Sequence, residues 1–151
     1  MLTEVVKSNG DKVKFDPSKL NKWGEWAGVY GVDWSRIVLE AVRKCYDGCT
    51  TKELQQAMID ACCEKEDEKY FKMAGRLLIG SIYKEVFGGH TKIPTLKDFY
   101  HSMTSRGLWD TLSYSDEELD IVGKAINHKK DMKTSYPELN QTKTKYLTLI
   151  S

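Results

Sequence analysis

Long apolar runs are missing from this 151-residue chain. The longest is only a few residues, far short of the ~20 that a membrane-spanning helix needs. The opening MLTEVVKSNG has no basic stretch leading into an apolar core, so no secretory leader is expected. A charge surplus is missing too: 23 basic against 22 acidic residues leave a net +1, with no electrostatic footprint for nucleic acid or an anionic membrane. Histidine is scarce, and His90, His101 and His128 stand far apart, as packing or surface residues do. The four cysteines are Cys45, Cys49, Cys62 and Cys63. One adjacent pair and one three-residue gap do not make a zinc ribbon, so free, mostly buried thiols in a reducing cytosol are expected. No Walker A loop, dinucleotide-binding glycine fingerprint or HExxH occurs, and no catalytic constellation is visible. What remains is a chain that is 40% hydrophobic and 30% charged, with a mean hydropathy of -0.51, of the size of one domain or one domain with an appendage.

Its organisation begins with the first stretch. Val5-Val6 is a short β-prone run, Asn9-Gly10 suits a type I′ turn, and Val13 and Phe15 alternate with Lys12 and Lys14 as in a half-buried return strand. Asp16-Pro17 then opens a helix with Leu20, Trp23 and Ala27 on its apolar face. Lys7, Lys12, Lys14, Lys19 and Lys22 crowd this junction, where a helix N-terminus and ammonium groups could together meet a phosphate. Asp33 caps a second helix carrying Trp34, Ile37 or Val38, Ala41 and Cys45, with Gly48 as its end. Thr50-x-x-Glu53 is a capping box for a third, with Leu54, Ala57, Met58 and Ala61 inward. A fourth helix carries Tyr70, Met73, Ala74, Leu77, Leu78 and Ile82 and closes at Gly88-Gly89. A boundary falls there, giving segments 1–89 and 90–151. In the second, Thr95 starts a helix stopped by Gly107, and Ser115-x-x-Glu118 opens another.

Val6-Lys7-x-x-Gly10, Phe15-Asp16, Lys19-Leu20, Thr50-Thr51 and Ala74-Gly75-Arg76-Leu77 together resemble the ATP-cone domain. That module sits at the N-terminus of many ribonucleotide reductase large subunits. The resemblance implies a mainly α (α+β) fold, in which a β-hairpin lid covers a four-helix bundle. Residues 90–151 look like the connector that follows the cone and the start of the catalytic region, so the likeness spans almost the whole chain. It implies an allosteric region that binds ATP or dATP, alone or with Mg2+, and controls overall reductase activity in deoxyribonucleotide synthesis. Expected partners are the rest of the large subunit, the radical-generating small subunit and a further copy of the chain, all in the cytoplasm. The family's radical and redox cysteines lie in a barrel downstream, so Cys45, Cys49, Cys62 and Cys63 do not take those roles, and no catalysis is expected from this chain alone.

Residue by residue, Lys7, Lys19 and Lys84 match the family's nucleotide-contacting lysines, and Thr51 matches the threonine that starts the third helix. Val13, Lys14 and Phe15 would approach base and sugar through backbone and apolar contact. Three positions depart from the pattern. Val13 stands where some members have Glu, Ser8 where a second basic residue is common, and Gln55 where some have His beside the nucleotide. These bear on affinity and on the choice between ATP and dATP. The alternative is a helical interaction module that has lost nucleotide binding. Zinc-ribbon repressors and anaerobic reductases, which also carry cones, are disfavoured by the missing ribbon and by the match beyond Gly89. Finally, Leu96, Phe99, Met103, Leu119, Val122 and Ile126 need burial, and residues 128–151 are expected to form an edge completed only by another polypeptide.

Overall fold

Six α-helices, one 3-10 segment and one two-stranded antiparallel hairpin are the named elements of the computed structural model, which describes residues 2–89, 92–109, 114–133 and 136–137. β1 (Glu4–Val6) pairs with β2 (Lys12–Lys14), with Val5 opposite Val13. The connection is not the type I′ turn expected of Asn9-Gly10. Lys7 donates its N–H to Asp11 and Gly10 donates back to Lys7, which leaves a three-residue loop in which only Gly10 is left-handed. A loop of this length needs one positive φ rather than two. The Asn9 side chain accepts from the Asp11 N–H and braces the loop.

Each helix begins where a short polar side chain can take up its first free N–H groups. Asp16 caps α1 (Pro17–Ala27), Asp33 caps α2 (Trp34–Lys44) and Asp67 caps α4 (Glu68–Phe87). The expected capping boxes are both formed, by Thr50 and Glu53 on α3 (Thr51–Cys63) and by Ser115 and Glu118 on α6 (Asp116–Ala125). Thr95 caps α5 (Leu96–Ser105). Gly88 closes α4 in the left-handed conformation, as anticipated. Gly48 does not close α2, which stops at Lys44, four residues earlier. Gly48 instead sits at positive φ in the turn that leads to α3.

Residues 2–77 hold the main core, in which Leu20, Trp23, Ile37, Val38, Met58, Met73 and Leu77 bury their side chains. Burial of each large one is worth about 1.5–3 kcal/mol. α1 fits tightly because two glycines leave room. A Cβ on Gly24 would lie 2.7 Å from Val38 Cγ2, and one on Gly80 would lie 2.8 Å from Trp26 and 2.9 Å from Trp23 Nε1. The single face expected of α4 is incomplete. Met73, Ala74 and Leu77 are buried, but so are Ile79 and Tyr83, while Tyr70, Leu78 and Ile82 are half-buried. α4 packs on α3, on α1 and on a 3-10 segment (His128–Lys133), so apolar residues are needed on several sides.

That 3-10 segment corrects the expectation of an open edge for residues 128–133. Tyr83 donates its hydroxyl to Asp131, His128 Nδ1 lies 3.3 Å from the same carboxylate, and Tyr136 packs against the core. Leu139, Tyr146, Leu147, Leu149 and Ile150 lie outside the described residues, as does His90. On α5 and α6 only Tyr100 and Leu119 are buried. Val122 and Ile126, expected inward, are exposed. No helix among the described residues is long and apolar enough to cross a membrane.

Candidate functional site

Hydrogen bonds fix the hairpin to the bundle at the turn before α3. Val6 donates its N–H to the Cys49 carbonyl at 2.9 Å, and Gly48 donates to the Glu4 carbonyl at 2.9 Å. The Asp47 carboxylate takes the N–H groups of Thr3 and Glu4, both at 2.8 Å, and the Thr3 hydroxyl at 2.9 Å. Those donors hold the Asp47 carboxyl below its ordinary pKa, the Glu4 and Thr3 amides first. β1 thus lies parallel to the chain at Thr50, and Lys7, the residue after β1, comes out beside the start of α3.

The helices bring the other candidates to the same end. Ser81 on α4 donates its hydroxyl to Gln55 Oε1 on α3 at 3.1 Å. Thr51 is one turn before Gln55 on α3, and Lys84 is nearly one turn beyond Ser81 on α4. α1 runs antiparallel to α4, with Gly80 against Trp23 and Arg76 donating to the Gly28 carbonyl at 3.4 Å. Lys19 lies one turn before Trp23, level with Lys84. Lys7, Lys19, Thr51, Gln55 and Lys84 therefore share one end of the bundle, reached from four elements. Lys7, Lys14, Lys19 and Lys84 are exposed, and none forms an ion pair among the described residues.

The β2 contribution differs in kind from the sequence reading. The ladder bonds Lys7–Asp11 and Phe15–Thr3 place Val5–Val13 as the hydrogen-bonded pair between them. Val13 and Phe15 are half-buried against the core. Their amides are engaged, and their side chains face the bundle. By the same alternation the N–H and C=O of Lys14 point from the outer edge of the hairpin, where a ligand can pair with them.

A second difference concerns helix N-termini. Asp16 accepts from the Ser18 amide at 3.0 Å and from its hydroxyl at 2.7 Å, its carbonyl takes the Lys19 amide at 3.2 Å, and Pro17 has no N–H. The start of α1 is spent on its own anion, whose carboxyl is held below its ordinary pKa by Ser18. Lys19 must therefore act through its ammonium group. α3 is different: the capping box takes the Glu53 amide and the Thr50 carbonyl takes that of Leu54, leaving the N–H groups of Thr51 and Lys52 uncommitted among the described residues. The Asp47 clamp had no signal in the sequence beyond an Asp before a Gly. The Ser81–Gln55 bond had none.

Cavities lie elsewhere on the described residues too, one of them reaching the start of α3 at Cys49 and Glu53. One of about 850 Å³ opens between α5 and α6, and one of about 500 Å³ lies between the end of α2 and α3. The second holds Cys45 and Cys49. Burial pushes the Cys45 thiol up to about 11 and the enclosed Cys62 thiol up to about 12. All four cysteines are free thiols.

A helical bundle with a hairpin clamped over one cationic end is thus the class that fold and site define. No family model matches the chain. It is similar to the ribonucleoside-diphosphate reductase alpha subunit of Enterobacteria phage T4, 31% identical over an alignment of 154 positions that covers 97% of this chain and 20% of that subunit. The alpha subunit of Buchnera aphidicola (Schizaphis graminum) is 30% identical over 95% of this chain and 20% of the relative. The ribonucleoside-diphosphate reductase 1 alpha subunit of Escherichia coli K12 is 28% identical over the same shares. The chain is a homologue of the reductase alpha subunit, and it spans about one fifth of the length of these relatives.

Proposed function

We propose that this chain is the nucleotide-sensing region of a ribonucleoside-diphosphate reductase alpha subunit, and that ATP or dATP binds between the hairpin and the hairpin-side end of the helices. The observation that carries this reading is the gathering of exposed lysines without ion-pair partners among the described residues, Lys7, Lys19 and Lys84, from the hairpin, α1 and α4. Like charges brought together without an anion repel, and a triphosphate relieves that repulsion while tying the three elements to one ligand. Thr51 adds a hydroxyl and, with Lys52, free helix N–H groups for a phosphate oxygen. Lys14 offers its edge amide and carbonyl to the base, and the Gln55 side-chain NH2 is left to donate once its oxygen is held by Ser81. Mg2+ would enter with the phosphates.

Ligand occupancy then sets how firmly the lid is held. ATP and dATP differ by one hydroxyl, which is worth about 1–3 kcal/mol when its partner is buried. That difference is what an activity switch between the two effectors requires. In this reading the region acts with the rest of the alpha subunit, with the small subunit and in alpha-subunit assemblies, in the cytoplasm.

Calorimetric titration of ATP and dATP tests it. Lys7→Ala and Lys19→Ala should each weaken binding about tenfold or more, the scale of one charge-assisted hydrogen bond. Unchanged affinity in both variants removes the site. A wild-type chain whose melting temperature ignores nucleotide would instead be a helical interaction module.

A further inference from the structure

Cys45 and Cys49 stand at the two ends of the stretch Cys-Tyr-Asp-Gly-Cys, and their side chains touch: the Cys45 thiol donates to the Cys49 sulfur. The same stretch receives the hairpin. Asp47 accepts the Thr3 and Glu4 amides, Gly48 donates to the Glu4 carbonyl, and the Cys49 carbonyl accepts from Val6. Its fold is a tight turn, in which Cys49 donates its N–H to the Tyr46 carbonyl at 3.1 Å and Gly48 takes a φ of 83°. The Tyr46 hydroxyl ties it to the Glu53 carboxylate of α3 at 3.0 Å. One turn thus brings two sulfurs together and holds β1. The other two thiols are not so placed: Cys62 and Cys63 are consecutive on α3, where successive side chains diverge by about 100°. Access differs within the pair. Cys49 is fully buried and Cys45 half-buried, and both line the cavity of about 500 Å³ at the end of α2.

We propose that Cys45 and Cys49 are a redox modification site, closed by a low-molecular-weight disulfide into a reversible cross-link that braces the turn under the hairpin. After losing its proton, the Cys45 sulfur attacks one sulfur of the reagent, which forms a mixed disulfide and releases one small thiol. The Cys49 sulfur, its proton also lost, then attacks that of Cys45, forming the Cys45–Cys49 bond and expelling the second small thiol. Two protein thiols are oxidised by two electrons, the reagent disulfide is reduced to two thiols, and the two protons pass to those products. Burial pushes the Cys45 thiol up to about 11, so its thiolate is scarce near neutral pH and closure is slow. A reduced pair that gains little from ionisation also holds its disulfide more firmly than pairs with a stabilised thiolate do. Because the sulfurs already touch, closure needs only a small side-chain shift. The ring then restricts the freedom of Asp47 and Gly48 to leave the arrangement that receives β1.

The test equilibrates the full chain in mixtures of reduced and oxidised mercaptoethanol, blocks the remaining thiols and maps the linked peptides by mass spectrometry. Hydrogen exchange at the Val6 amide is then compared between the reduced and the oxidised chain. No nucleotide is present, so the outcome is independent of the binding site proposed above. A Cys45–Cys49 link, lighter by two hydrogens and reversed by reductant, is expected. With it, Val6 exchange should slow roughly three- to thirtyfold, the upper end set by the loop-closure entropy of a ring of about five residues. The absence of that link overturns the proposal, as does preferential linkage to Cys62, to Cys63 or to a second chain. Val6 exchange that is unchanged or faster in the linked chain overturns it too. Cys45→Ala removes the half-buried thiol and leaves the buried one, so Val6 should exchange as in the reduced chain and no longer respond to the oxidant. A response that persists in Cys45→Ala counts against the pair. Should that variant fold poorly, the two forms of the wild-type chain still carry the test.

Discussion

Asp47 and Thr3 meet through two hydrogen bonds, from the Thr3 amide at 2.8 Å and from its hydroxyl at 2.9 Å, and this pair fastens the start of the hairpin to the turn before α3. A two-stranded hairpin is marginal alone in water, so its seating depends on such anchors. Asp47→Ala should free the hairpin while the helices stay folded. Hydrogen exchange is the measurement: the amides of Val6 and Phe15 should lose protection, and those of α3 and α4 should keep theirs. Unaltered protection at Val6 would show that the backbone bonds to Cys49 and Glu4 suffice.

The same carboxylate predicts a pH response. Its pKa is lowered in the folded chain by the Glu4 and Thr3 amides, so its contribution is complete above the ordinary carboxylate range and disappears as pH falls through the folded value. Hairpin protection should therefore decline on acidification below about pH 4. Asp47→Asn should flatten that decline, as followed by exchange at Val6 across an acid series.

Gly80 lets α4 approach two tryptophans. Gly80→Ala would put a methyl group 2.8 Å from the Trp26 ring and 2.9 Å from Trp23 Nε1, which forces rings or helices apart. Overpacking of this kind costs about 1–3 kcal/mol. Thermal or urea unfolding should show the loss, and an unshifted midpoint would mean that α1 gives way freely.

How much of this was legible in the sequence depends on the kind of contact. Caps were readable because Asp16-Pro17, Thr50…Glu53 and Ser115…Glu118 act within one helical turn, and all three formed as expected. The α4 surface was only partly readable, since a helix packed on several sides breaks the simple period that marks one buried face. The end of α2 was misplaced because Gly48 signals a turn equally well in a loop. On the candidate site, residue types and numbers pointed to one end of the bundle, but which groups were already spent was hidden. Asp16 uses up the α1 N-terminus, and pairing with β1 engages the backbone of Val13, facts that only the local geometry carries.

Tyr83 is buried and donates its hydroxyl to Asp131, which ties α4 to the segment at 128–133. Burial first, then the hydrogen bond and charge of Asp131, raises its pKa well above the ordinary tyrosine value. A raised pKa means that the stabilisation is complete below the unfolded value of about 10 and declines as pH rises beyond it. Tyr83→Phe should cost about 0.5–1.5 kcal/mol at neutral pH and remove part of the alkaline decline. Unfolding curves at pH 7 and above pH 10 check both.

Thiol chemistry gives a separate check on packing. Cys62 is fully buried with its pKa pushed up to about 12, whereas Cys63 beside it is half-buried. The thiolate is the reactive form, so alkylation near pH 8 should reach Cys63 well before Cys62. Peptide mass spectrometry resolves the order by fragmentation, and equal rates would mean that α3 opens readily.

The anchoring of residues 3–6 by residues 47–50 also orders events during synthesis. Thr3 leaves a ribosome well before its partner Asp47, which lies 44 positions later. At about 5–20 residues per second that gap lasts roughly 2–9 s. Throughout it the lysine-rich start of the chain has no place to dock, and it can settle only once the turn before α3 has emerged. The hairpin is thus made before the turn that receives it and seated after.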